Sequence, residues 1–211
     1  MDAAFREHMY DVLSLYQEPY NPLRPLVCFD EKPKQLLLEK RRSLPMKQGS
    51  PERYDYEYAR NGTANIFVAV DFKAGKRFVQ VRKRRTKKDF AQFMKRLLDE
   101  YYGVEVVRVV VDNLNTHGLK SFYEAFGGDE AEGILGRVEF HYTPKHASWL
   151  NVAEVEINVM DVECTGRRIG DRRTLSREVT AWMKRRNKNK AKIDWKFTRE
   201  KADAKLSKYY V

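Results

Sequence analysis

Val106-Val107-Arg108-Val109-Val110-Val111-Asp112 is a run of β-branched residues closed by an acid. Such a run reads as a buried strand, and a carboxylate at its end faces a polar site rather than the core. Upstream, Pro25-Leu26-Val27-Cys28-Phe29-Asp30 has the same form. Downstream, Ser148-Trp149-Leu150-Asn151-Val152-Ala153-Glu154 carries a third acid on the flank of an apolar stretch. Three carboxylates on separate elements suit hard divalent cations, which take oxygen ligands. A pair of such ions can clamp the attacking and leaving oxygens of a phosphoryl transfer.

Each acid also has a purely structural reading. Asp30 and Asp112 can start turns. Asn151-Val152-Ala153-Glu154 has capping-box spacing, with the Glu satisfying a backbone donor at a helix start. Glu156 competes with Glu154, but on a helix the two point about 160° apart, so only one can face a site. Asp161 shares the Glu154 face and reads either as a supporting acid or as an exposed helix charge.

The surrounding pattern is α/β. Residues 2–17 have helical spacing, and 31–62, with three prolines and two glycines, read as loop with one short element. Ala64–Asp71 and Arg77–Arg82 read as a hairpin, and Asp89–Tyr102 as a helix capped by Thr86. A helix around Lys120–Ala125 stops at Gly127-Gly128, and Val138–Tyr142 is a short strand. Residues 149–163 fit a helix or a strand, with length favouring helix. Leu175–Lys190 and a basic segment over 198–210 complete the helices. This order implies a mixed sheet covered on both faces. Asp30 and Asp112 meet only if the first and fourth strands are neighbours, which periodicity does not decide.

Of the 211 residues 42% are hydrophobic and 12% aromatic, enough for a core. No run reaches the ~18 apolar residues of a membrane helix, and the first residues lack the pattern of a signal peptide. Cys28 and Cys164 show no paired spacing, so neither a disulfide framework nor a zinc site is expected, and a cytoplasmic chain is the simplest reading. His117, His141 and His146 lack the close pair that zinc proteases use. The net charge of +11 lies wholly in residues 167–211, with sixteen basic against five acidic residues. Arg167, Arg168, Arg172 and Arg173 open this stretch, and Arg82, Lys83, Arg84, Arg85, Lys87 and Lys88 form a second basic run. Both are candidate phosphate contacts, which position nucleic acid without reading its sequence; both can equally be solvated faces.

Three stretches taken together resemble the DDE transposases of bacterial insertion sequences related to the mariner elements (insertion-sequence family six-thirty). They are Val27-Cys28-Phe29-Asp30-Glu31-Lys32-Pro33, Val110-Val111-Asp112-Asn113-Leu114-Asn115-Thr116-His117, and the segment from His141 through Pro144, Lys145, His146 and Trp149 to Glu154. The resemblance implies an RNase H-like fold with a central mixed five-stranded sheet and the first and fourth strands adjacent. It implies Asp30, Asp112 and Glu154 as catalytic metal ligands for two Mg²⁺ or Mn²⁺ ions. His117, Lys145, His146 and Trp149 join the nucleic-acid candidates. The implied partners are double-stranded DNA and a second subunit on it, in the bacterial cytoplasm at the nucleoid. The expected division is an N-terminal helix and linker (1–22), a catalytic domain (23–190) and a basic C-terminal helix (191–211).

Two features depart from the family pattern. Forty-one residues separate Asp112 from Glu154, longer than in mariner relatives, and the segment 127–136 is the expected insertion. Only about 20 residues precede the first strand, too few for a helix-turn-helix module, so the expectation is a catalytic domain alone. The competing expectations are a non-catalytic DNA-binding remnant and a nuclease acting on RNA–DNA hybrids.

Overall fold

Strand β1 (Leu26–Glu39) is the axis of the sheet. Its first residues are buried on both faces, as the continuous apolar run requires. It pairs antiparallel with β2 (Tyr58–Asp71), which pairs antiparallel with β3 (Lys76–Arg82). On its other side β1 runs parallel to β4 (Val107–Val111), itself parallel to β5 (Val138–Tyr142). The order is therefore β3-β2-β1-β4-β5. The computed structural model describes residues 2–41 and 43–210.

Alternation along the strands sorts the core into two layers. Val27, Phe29, Phe67, Val109 and Val111 face helices α2 (Lys87–Asp99), α3 (Lys120–Phe126) and α4 (Gly128–Leu135). Thr86 and Asp89 close a capping box at the start of α2. On the opposite face, Leu26, Cys28, Val70 and Val110 receive α1 (Ala3–Gln17) through Met9, Leu13 and Tyr16. Beside them Ile66, Val68 and Val79 receive α5 (Val152–Met160) and α6 (Arg172–Lys188). The C-terminal segment joins the α1 layer: Ile193, Trp195 and Phe197 lead into α7 (Arg199–Leu206), and the Trp195 ring meets Tyr16 edge-on at 5.3 Å.

Two expectations change, and the expected insertion takes on a structure of its own. The loop over 31–62 gives way at both ends to strand, because the β1–β2 pairing runs on from Glu31↔Phe67 to Glu39↔Tyr58 and is a two-stranded ribbon from Lys34↔Ala64, beyond the last β3 pair. Beyond Cys28 no β4 pairing is present among the described residues, so Pro33 sits on an edge where a missing N–H breaks no ladder. The long spacer after Asp112 folds into α4, which buries Ala131 and Ile134. Residues 149–163 are a 3₁₀ turn (Ser148–Leu150), then α5, then a π turn (Asp161–Thr165), rather than one helix.

Candidate active site

The parallel ladder of β1 and β4 pairs Leu26 with Arg108, Val27 with Val109 and Cys28 with Val110. Two residues past the last pair, each strand carries its acid, Asp30 and Asp112, on the Cys28 face. Glu154 enters from that face in the first turn of α5. Its position is fixed by Asn151, a buried helix cap whose side-chain oxygen accepts from the Ala153 N–H at 3.1 Å. The same side chain donates to the Phe29 carbonyl at 2.8 Å, tying the helix start to the residue before Asp30. Removing both bonds and leaving that carbonyl unpaired, as in Asn151→Ala, is expected to cost about 2–3 kcal/mol in urea unfolding.

Glu154 and Glu156 diverge as helix geometry requires. Glu154 is half-buried, and its carboxylate makes no hydrogen bond or ion pair among the described residues. Glu156 is fully buried and holds Arg77 through two 2.8 Å bonds, with Arg186 alongside at 3.1 Å. Asp161 is paired with Lys32.

Burial pushes the Asp30 carboxyl up to about 7, and the charges of Asp112, Glu154 and Glu31 push in the same direction. The 2.7 Å bond from the Glu31 N–H to Asp30 opposes them. His117 shows the reverse balance. Burial disfavours its charge, but hydrogen bonds to Asp112 and Glu31 prevail and raise it to about 9. Asp30, Glu31, Lys32 and Glu154 line a cleft of about 430 Å³. A second of about 290 Å³ is lined by Glu31, Arg85 and the loop residues Leu114, Asn115 and Thr116.

Among the described residues no three His, Cys, Asp or Glu side chains are gathered closely enough to hold one ion between them. The arrangement is pairwise: Asp30 lies within electrostatic reach of both Asp112 and Glu154. All three donors are hard oxygens, and the central one resists ionising beside its neighbours. That donor set fits divalent magnesium or manganese bound between pairs of acids.

The nucleic-acid candidates separate by their partners. Lys83, Arg84, Arg85 and Lys88 are exposed and form no ion pair among the described residues. Arg82 is held by Gln80 and Gln92, and Lys87 by Glu124. Lys145 and His146 are exposed, His146 with a backbone φ of 62°. They border a cleft of about 480 Å³ with Phe5, His8 and Asn113. Trp149 is 43% exposed and meets Phe197 edge-on. Arg167 pairs with Glu178, whereas Arg168 is drawn onto Glu39 and the Asp55 carbonyl and serves the ribbon instead. Arg172 and Arg173 are free of ion pairs among the described residues and, with Arg177 and Lys184, line an open groove of about 760 Å³ against Val81. His117 is fully buried, with its ring between carboxylates and so turned away from any surface.

Sequence reading missed Glu31 and Asn151 as parts of the site. Strand alternation carried a signal for Glu31, since it had to face away from Asp30. Asn151 was visible only as a cap.

A mixed five-stranded sheet of order β3-β2-β1-β4-β5 with helices on both faces is the RNase H-like architecture. Residues 25–176 match the family described as DDE superfamily endonuclease, and the chain belongs to that family. Among solved structures it resembles the Mos1 mariner paired end complex with Mn, at 14% identity and a TM-score of 0.55, covering 90% of this chain and 58% of that one. It also resembles the Mos1 Strand Transfer Complex at 15% identity and 0.55, covering 85% and 53%. A pre-cleavage Mos1 transpososome matches at 14% and 0.51, covering 88% and 60%. The chain thus spans somewhat more than half the length of those proteins, and at such identity the likeness is one of fold. No curated protein matches the sequence.

Proposed function

We propose that this chain is the catalytic domain of a transposase of the mariner-related insertion-sequence group, cleaving and rejoining double-stranded DNA with divalent metal. The observation that carries this reading is the β1–β4 register, which sets Asp30 beside Asp112 with Glu154 brought over them by α5. Asp30 would be shared by two ions, with Asp112 holding one and Glu154 the other. When bound, magnesium or manganese supplies the Lewis acidity that activates a water or 3′-hydroxyl and stabilises the leaving oxygen. The chain's own part is to hold the acids and to bind phosphates, with Arg85 in the smaller cleft that shares Glu31 with the acid-lined one. A protein nucleophile is not needed. Cys28 is fully buried, and burial pushes its thiol up to about 12, so it is no thiolate at neutral pH.

Double-stranded DNA is the proposed substrate, and a pair of subunits on DNA the proposed assembly, as the paired end complex of the Mos1 match suggests. No described helix is long and apolar enough to cross a membrane. We place the protein in the bacterial cytoplasm, at the nucleoid. Supercoiled plasmid is expected to be nicked in Mn²⁺ or Mg²⁺ and left intact in EDTA.

A second reading, a DNA-binding remnant, draws on the α6 groove, whose basic residues do not depend on the acids. It predicts DNA binding without nicking in any metal. Under either reading, replacing both Arg172 and Arg173 by Ala should lower the slope of log K against log salt by about 2, through lost counterion release. Filter binding over a salt series measures this.

A further inference from the structure

Glu31 stands next to a proposed metal ligand, yet its carboxylate faces away from the triad. Its side chain is 3% exposed, and one oxygen lies 3.3 Å from Nε2 of His117. The opposite ring nitrogen, Nδ1, binds Oδ1 of Asp112. The imidazole is itself fully buried, edge-on to Phe29 at 5.3 Å and tilted over Phe90 at 4.7 Å. Its main chain is also fixed: the His117 carbonyl accepts from the Tyr142 hydroxyl at 3.1 Å, and its N–H donates to the Leu114 carbonyl at 3.0 Å. Asp112, with its side chain 24% exposed, is the one member of this trio that opens to solvent.

From this geometry we infer that Glu31 and His117 are positioning residues for Asp112: His117 engages one oxygen of that carboxylate and leaves the other free for an ion, while Glu31 holds the ring in place. The inference rests on the metal-dependent reading above and assigns Glu31 a role other than that of a fourth ligand. The imidazole links Glu31 on β1 to Asp112 just past the end of β4, across the face opposite α5, so Asp112 keeps a fixed relation to the part of β1 that carries Asp30. Packing alone does not call for such a trio. Buried ionic groups add little stability over apolar residues of similar volume. Partners that orient a metal ligand, by contrast, typically cost 10–100-fold in affinity or activity when removed.

A matched pair of amides separates positioning from packing. In His117→Asn the amide nitrogen replaces Nδ1 and keeps the donor to Asp112. In His117→Gln it replaces Nε2 and keeps only the link to Glu31. Mn²⁺ affinity, measured by titration calorimetry and by the paramagnetic resonance of free Mn²⁺, should stay within a few-fold of wild type for the Asn variant. For the Gln variant it should weaken about 10–100-fold. Thermal unfolding of the metal-free proteins checks that both are folded to the same extent. If either amide fails to fold, the apolar double variant Glu31→Leu/His117→Phe replaces the pair; it should melt near the wild-type temperature and still bind Mn²⁺ about 10–100-fold more weakly. Equal Mn²⁺ affinity in the two amide variants, or wild-type affinity in the apolar variant, would overturn the positioning role alone. A wild-type protein that binds no Mn²⁺ would overturn the metal-dependent reading and this inference with it.

Discussion

The Asp30→Asn protein is expected to melt at a higher temperature than the wild type in EDTA at pH 8, and to lose the wild type's stabilisation by Mn²⁺. Asp30 has a folded-state pKa raised from 3.8 to about 7, chiefly by burial, with its acidic neighbours adding to it. Between those values the folded chain holds a proton that the unfolded chain has released, so stability falls as pH rises from about 4 to about 7. Above that window the full penalty is present. A shift of this size is worth roughly 2–4 kcal/mol, the lower end allowing for water on the open side of the cleft. Asparagine keeps the bond from the Glu31 N–H without the charge, so the gain should be about 5–10 °C in melting temperature. His117 acts over a higher window. Its folded pKa is raised from 6.5 to about 9, so the stability it gives is complete below pH 6.5 and lost as pH rises through 9. Metal-free wild type should therefore lose stability continuously between about pH 4 and 9, and Asp30→Asn should lose it only in the upper half. Metal added at 100 times its dissociation constant should stabilise the wild type by about 2.7 kcal/mol and the variant far less.

The second large effect lies two residues from Glu154. Glu156→Ala is expected to destabilise the fold by about 3–5 kcal/mol, because it leaves the Arg77 guanidinium fully buried without a counter-charge. Arg186 loses the same partner but retains Glu163, so the damage centres on Arg77. Glu154→Gln should leave urea unfolding within about 0.5 kcal/mol, since no hydrogen bond or ion pair of that carboxylate is lost among the described residues. Its nicking should fall by about a thousandfold, the equivalent of roughly 4 kcal/mol of transition-state stabilisation. Two acids in one helix thus divide stability from chemistry, and urea melts set beside plasmid nicking read the division directly.

The candidate acids stood out in the sequence because an acid closing an apolar run conflicts with its local pattern, although β1 itself runs on past Asp30 to Glu39. That Glu154 and Glu156 point apart needs only the helical turn, whereas the choice of Glu154 came from the resemblance. That β1 and β4 are neighbours came from resemblance, since pairing partners are set by tertiary packing and leave no period in either strand. The strand over Glu31–Glu39 was hidden because Lys32, Pro33, Lys34 and Gln35 have strand geometry with one uncovered edge, and so lack an apolar stripe. The basic residues mislead in a different way. A count of charges does not show which are neutralised, and Arg168 and Lys87 are engaged by acids while Arg172 and Arg173 stand free of ion pairs among the described residues. His117 read as a surface contact because its two carboxylate partners lie 86 and five residues away in the chain.

Nicking of supercoiled plasmid by wild type and by Asp112→Asn, side by side in Mn²⁺ and at equal folded concentration, tests the central claim most directly. Wild type should nick, and the variant should be slower by about a thousandfold while shifting DNA equally well. Equal nicking by the two proteins, or none by a folded wild type that binds DNA, would contradict the assignment of Asp30, Asp112 and Glu154 as a metal-dependent catalytic site.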